Sequence, residues 1–189
     1  RELSKFMSGA TMAHMEAMKM VMAYCLTTRL RGLTLKPNEK WDGNPEFKFT
    51  VRGKSDSEYI KDPDTRKSVN GWCTFVNDAP VSMMSKAMPV VALSVTEAEL
   101  YSATLCAQDM LYVMRILESL GLQVELPMIL EVDNRGARDL ANNWSAGGRT
   151  RHVAAKLYFL RELKENGIIE TIWFSKDAQT ADLFTKNLP

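Results

Sequence analysis

The alternation of apolar and polar positions changes period along the chain. Met12, Met15, Met18 (or Lys19), Met22 and Cys25 recur at helical spacing, which predicts a helix over residues 4–31. Residues 36–45 are polar and hold two prolines, so a boundary is expected there, with 1–45 a helical connector and 46–189 a second domain. From Glu46 the period drops to two. Phe47, Phe49 and Val51 alternate with Lys48, Thr50 and Arg52, the pattern of a half-buried strand ending near Asp56. Strands are expected over 68–76 and 80–86, joined by the turn residues Asn77-Asp78-Ala79-Pro80. Ser94-Val-Thr-Glu97 has the spacing of a capping box and opens a helix to about Leu120, which Gly121 ends. A strand at 128–132, helices at 135–142 and 150–166, a strand at 168–174 and a helix at 178–186 complete the chain. The order after residue 45, β-β-β-α-β-α-α-β-α, implies an α/β fold: a mixed five-stranded sheet with helices on its faces.

Composition bounds this picture loosely. The 189 residues suit one domain with an appendage, and 46% apolar content supports a sizeable core. With 24 basic against 23 acidic residues, a nucleic-acid partner is not legible in net charge and has to be sought in local patches. From Asn134 to Gly167 there are seven Lys or Arg against three acids, and Arg149, Arg151 and Lys156 are candidates to track phosphates, a solvated face being the plainer alternative. Trp144 and Gly147-Gly148 suggest a mobile loop leading into them. Cys25, Cys73 and Cys106 are odd in number and lack metal-ligand spacing, which points to core residues in a reducing compartment. No run is long and apolar enough to span a membrane and no signal peptide is evident, so no membrane partner is expected. The first residue is Arg1, in keeping with a piece of a longer polypeptide. The methionines of the first helix form either a buried face, which is favoured, or an adaptable binding surface.

Four acids fall where strands and helices meet: Asp56, Glu99, Asp133 and Asp182. Each has a plain structural reading. Asp56 serves equally as a turn acid, Asp133 as a helix cap in rivalry with Asn134, and Asp182 as an acid near a positive helix end, one turn into the last helix. Glu97 competes with Glu99. The apolar stripe Ala103, Cys106, Met110, Val113, Leu117 steps back four residues to Glu99, so Glu99 lies on the buried face, whereas Glu97 follows Tyr101, Gln108, Tyr112 and Arg115 and has the capping-box role. Converging carboxylates repel unless cations sit among them, and all-oxygen acidic sites select Mg²⁺ or Mn²⁺. Paired ions of that kind cut phosphodiesters, so a metal-dependent nuclease is the leading reading.

The segment from about Lys54 to Pro189 resembles the ribonuclease H domain of copia-type (Pseudoviridae) retrotransposon polyproteins. The matching pieces, in family order, are Ser55-Asp56, Asp62-Pro-Asp-Thr-Arg-Lys-Ser68, Gly71-Trp72, Val91-Ala-Leu-Ser-Val-Thr-Glu-Ala-Glu-Leu-Tyr101, Asp133-Asn134, Arg149-Thr-Arg-His152 and Ala181-Asp-Leu-Phe-Thr-Lys-Asn-Leu-Pro189. Leu3-Ser-Lys-Phe-Met7 and the Leu33-Thr-Leu stretch resemble the segment joining reverse transcriptase to ribonuclease H. The resemblance implies a ribonuclease H-like fold and hydrolysis of the RNA strand of RNA/DNA hybrids by two metal ions, held by Asp56, Glu99, Asp133 and Asp182. It implies a reverse transcriptase domain as partner and a cytoplasmic setting or virus-like particles. Asn134, Arg149, Arg151, His152, Arg66 and Ser68 become candidate substrate contacts, His152 having a helix-start role as its alternative. The first motif departs from the frequent Asp-Ala-Asp-Trp-Ala, reading Asp56-Ser-Glu58-Tyr-Ile60, and no histidine stands on the loop 175–179 before the last acid. A non-catalytic nucleic-acid-binding or scaffolding domain of the same fold is the alternative.

Overall fold

The computed structural model describes residues 3–143, 151–175 and 179–186, with the side chains of 151–153 left out. The chain divides into two compact units, residues 1–34 and 35–189. The first holds a 3-10 turn, Leu3–Phe6, and helix α1, Met12–Thr27. This is shorter than the predicted 4–31. At its start Thr11 N–H donates to His14 Nδ1 at 3.0 Å, and Phe6 stacks on the His14 ring at 4.0 Å. At its end the hydroxyls of Thr27 and Thr28 turn back onto the carbonyl of Tyr24, competing for the acceptor that a further turn would use.

In the second unit, residues 35–45 are tied to the sheet domain: Asn38 N–H donates to the Asn77 carbonyl at 2.8 Å and its side-chain amide to Asp78 at 2.7 Å. Four strands follow, β1 (Lys48–Phe49), β2 (Val51–Glu58), β3 (Val69–Val76) and β4 (Ala79–Ala87). Then come α2 (Val95–Ser119), β5 (Gln123–Val124), β6 (Met128–Val132), α3 (Arg135–Asn142), α4 (Arg151–Glu165), β7 (Ile169–Trp173) and α5 (Asp182–Thr185). The main sheet has the order β4-β3-β2-β6-β7 and is mixed: β2, β3 and β4 are antiparallel, while β6 and β7 run parallel to β2. A small parallel pair, β1 with β5, lies apart from it. The β3–β4 turn is Asn77-Asp78, both at positive φ, the two-residue loop whose twist suits a hairpin.

The core lies between the sheet and α2, α3 and α4. It joins Val51 and Trp72 of the sheet to Leu100, Cys106 and Met110 of α2 and to Leu157 and Leu160 of α4, with Leu130 and Val132 of β6 and Ile169 of β7 beneath them. Gly53 permits the close approach of α2, since a Cβ there would meet Cys106 Sγ at 2.6 Å and Met110 Sδ at 2.5 Å. The opposite face of β2 and β3 carries α5. The final helix is shorter than the predicted 178–186: bonds from Asp182 N–H to Gln179 O and from Leu183 N–H to Thr180 O make tight turns that become helical only at Asp182. Asp182 therefore opens the helix instead of standing one turn inside it.

Candidate metal centre

Strand register brings the acids together. Asp56 lies on central β2, opposite Gly71 of β3, and β6 runs parallel to β2 with Val132 beside Ser55. Asp133 thus leaves the carboxyl end of β6 next to Asp56, the kind of place where ligands gather in sheets with helical crossovers. Glu99, on the second turn of α2, reaches the same end of the sheet and accepts from Ser57 N–H at 3.3 Å. One carboxylate oxygen from each of Asp56, Glu99 and Asp133 lies within 4.8 Å of the others.

The choice of Glu99 over Glu97 agrees with their surroundings. Glu99 is 3% exposed and its Oε2 has no hydrogen-bond partner. Glu97 lies partly exposed at the helix start, where its N–H donates to Ser94 Oγ at 3.1 Å. The Glu97 carboxylate accepts from Leu93 N–H, one residue before the cap, so the capping box closes one residue early. Asn134 caps α3, its side-chain oxygen accepting from Ala137 N–H at 2.9 Å. That settles the rivalry for this task and leaves the Asp133 carboxylate to the acidic cluster.

The fourth acid arrives with α5, held from several sides. Gln179 Nε2 donates to the Ser55 carbonyl at 3.0 Å, Ser85 Oγ donates to the Phe184 carbonyl, and the Thr185 hydroxyl donates to Asp56 Oδ2. Gly71 makes room: a Cβ there would lie 2.7 Å from Thr185 Cγ2, 2.9 Å from Phe184 Cβ and 3.0 Å from the Ala181 carbonyl oxygen. Asp182 Oδ2 pairs with Lys186 Nζ at 2.5 Å, one turn further on, while its buried Oδ1 has no hydrogen-bond partner. Asp182 is not among the three acids whose oxygens converge within 4.8 Å.

The electrostatics follow from this crowding. Burial, then the charges of Asp56 and Asp133, push Glu99 up to about 9, against the lowering effect of its bonds to Ser57. Burial raises Asp56 to about 6; the Thr185 hydroxyl opposes this, Asp133 and Asp182 add to it, and Lys186 offsets part. Burial lowers the Lys186 ammonium, but its bond to Asp182 and the charges of Asp56, Asp182 and Asp133 outweigh that and raise it. Protons held at elevated values mark a site short of positive charge.

Sequence reasoning missed three supporting groups. Thr185 and Lys186 follow Asp182 at helical spacing within Asp182-Leu-Phe-Thr-Lys, a signal that was legible in principle. Trp173 donates from Nε1 to the Asp133 carbonyl at 3.0 Å with the Arg135 guanidinium 4.6 Å over its ring, a contact set by strand register and invisible in the sequence. The other expected substrate contacts are scattered. Arg66 is exposed in the turn between β2 and β3 at φ +55°. Ser68 is a correction: it is fully buried and its Oγ accepts from Ile60 N–H at 3.2 Å, closing that turn instead of facing a ligand. Arg149, Trp144 and the Gly147-Gly148 pair lie outside the described residues, as do the side chains of Arg151 and His152, whose backbones begin α4.

No family model matches the chain. It is 31% identical over 186 residues to the retrovirus-related Pol polyproteins of transposons RE1 and RE2 of Arabidopsis thaliana, and 30% identical over 187 residues to that of transposon TNT 1-94 of Nicotiana tabacum. These alignments take in 98–99% of this chain but only 12–13% of the relatives' length. Among solved structures it superposes on the N-terminal RNase H domain of a Mycobacterium tuberculosis protein with TM-score 0.51 at 14% identity, covering 72% of this chain and 90% of that one. A ribonuclease H1 isolated from compost superposes with TM-score 0.55 at 9% identity, covering 71% and 91%; its complex with an RNA/DNA hybrid gives 0.53 at 8% identity, covering 70% and 91%. Likeness at such identities is one of fold, and it agrees with the strand order and the helix placement. Over nearly its whole length the chain is similar to the retrovirus-related Pol polyproteins of copia-type transposons, of which it spans about an eighth, and its fold is ribonuclease H-like.

Proposed function

We propose that this segment is a ribonuclease H that hydrolyses the RNA strand of RNA/DNA hybrids during reverse transcription of a retrotransposon, using two divalent ions. The observation that carries the reading is the convergence of Asp56, Glu99 and Asp133 within 4.8 Å, with Glu99 buried. The donor set fits the ions. It is all carboxylate oxygen, which suits Mg²⁺ or Mn²⁺ over softer metals, and Glu99 Oε2 and Asp182 Oδ1 are buried oxygens still lacking a hydrogen-bond donor. Asp56, Glu99, Asp133 and Asp182 would hold the ions, which supply an activated water and stabilisation of the leaving 3′ oxygen, giving 5′-phosphate products. The chain's own groups aim the ligands. Ser57 N–H orients Glu99, the Thr185 hydroxyl orients Asp56, and Trp173 anchors the backbone at Asp133.

Recognition of a hybrid is supported by the compost enzyme of the same fold, which is known in complex with one. Asn134, Arg149, Arg151, His152 and Arg66 remain the proposed contacts to it, with strand choice resting on 2′-hydroxyls in A-like geometry. Residues 1–45 are proposed as the connector from a preceding reverse transcriptase domain. A panel of RNA/DNA hybrid, duplex RNA and duplex DNA, with end analysis of the products, tests the reading. RNA-strand products bearing 5′-phosphates from the hybrid alone are expected. Equal cutting of duplex DNA would assign the site to another phosphodiester reaction, and tight hybrid binding without cleavage under any divalent ion would assign the domain to nucleic-acid binding.

A further inference from the structure

The four acids are not equivalent in their compensation. Asp56, Glu99 and Asp133 share one focus, where buried carboxylate oxygen faces carboxylate oxygen. Asp182 has a cation of its own, the Lys186 ammonium at 2.5 Å on Oδ2, and its other oxygen is buried without a hydrogen-bond partner. The ammonium also stands in the field of Asp56 and Asp133. Its side chain is 38% exposed, so it has a route to swing into solvent on its four-carbon stem.

We propose that Lys186 is a built-in counterion of Asp182 that a second divalent ion must displace. The inference rests on the two-ion reading above. A monovalent ammonium on a ligand oxygen competes with the ion that needs that oxygen. The ammonium touches Asp182 directly and acts on Asp56 and Asp133 only through their charge, so it hinders the ion that needs Asp182 more than the ion that enters the Asp56–Glu99–Asp133 focus. The segment Asp182–Lys186 then acts as a positioning element that keeps Asp182 folded against the site until that ion arrives. Competition of this size is modest, because the pair is partly solvated: removing it should tighten the second ion roughly threefold to tenfold, the range left after a charge-assisted bond is discounted for screening.

Counting bound Mn²⁺ on the whole chain, by the loss of the free-ion electron paramagnetic resonance signal, reads this without any cleavage. Wild type is expected to take one equivalent tightly and a second weakly. Lys186→Met keeps the stem and removes the charge; its second step should tighten threefold to tenfold and its first step by distinctly less. Lys186→Arg keeps a cation and should leave the second step as weak as in wild type. A second step in Lys186→Met that is unchanged or weaker overturns the proposal, as does tightening of both steps alike, which would reflect only the site's overall charge. Failure of wild type to take up any Mn²⁺ would remove the two-ion reading itself, a result visible before any variant is compared.

Discussion

Glu99 combines 3% exposure with a carboxyl raised to about 9, and the physical cause is desolvation beside two more acids. A carboxyl raised in the folded state keeps its proton where the unfolded chain has lost it. The stability so gained is full below the unfolded value and is lost as pH rises through the folded one. For Glu99 that window runs from 4.5 to about 9, and for Asp56 from 3.8 to about 6. In chelator, the melting temperature should therefore fall as pH rises from about 4.5 to about 9. Glu99→Gln should flatten most of the slope, and Mg²⁺, which binds the deprotonated form, should restore stability at the alkaline end. A melting temperature that climbs with pH in chelator contradicts the assignment of Glu99 as the buried, uncompensated acid. Gly71 makes a second residue-scale test. Gly71→Ala sets a methyl against Thr185, Phe184 and the Ala181 carbonyl. It should cost about 1–3 kcal/mol in denaturant titration, typical of overpacking, and cut hybrid cleavage more than it weakens the fold, because α5 carries Asp182 away. Cleavage at the wild-type rate would show that α5 is not needed where it packs.

At the scale of elements, α2 does two jobs. Its start is fixed by Ser94, whose Oγ accepts from Glu97 N–H, and its buried stripe sets the rotation that points Glu99 at the sheet end. Ser94→Ala should lower thermal stability by about 1 kcal/mol, the usual worth of a side-chain cap, while the metal-binding steps stay near wild type; an unchanged melting temperature would mean that packing alone holds this end. The helix, the strand 128–132 and the helix 135–142 were legible in the sequence because local signals agree there: a cap, a clean apolar stripe, a strand flanked by turn residues. Less was legible where long-range contacts decide. α5 shrinks to Asp182–Thr185, where the Gln179 side chain ahead of it is tied to the Ser55 carbonyl of β2 and Ser85 of β4 holds the Phe184 carbonyl. Ser68 was a candidate contact only through the family resemblance, and its burial is set by the tertiary fold; Trp173's bond to the Asp133 carbonyl has no sequence signature. Three of the acids could be paired with one another in space only once strand order was known; in the sequence it was the family resemblance that grouped them.

For the whole molecule, the sheet, its core and the acids all belong to residues 35–189. A polypeptide starting at Leu35 should fold cooperatively and take up Mn²⁺ as the full chain does; loss of either would mean that residues 1–34 contribute to the domain. Among the described residues no helix is long and apolar enough to cross a membrane. The central claim is that the acids hold ions that cut RNA paired to DNA. The most direct measurement is a time course of RNA-strand loss from an end-labelled RNA/DNA hybrid in Mg²⁺, in Mn²⁺ and in chelator, for wild type and for Asp133→Asn with its fold verified by circular dichroism. The account predicts metal-dependent loss of the RNA strand alone, slowed in Asp133→Asn by more than about a hundredfold, beyond the effect of groups that merely orient a ligand. Undiminished cleavage by Asp133→Asn, or cleavage that persists in chelator, would contradict it.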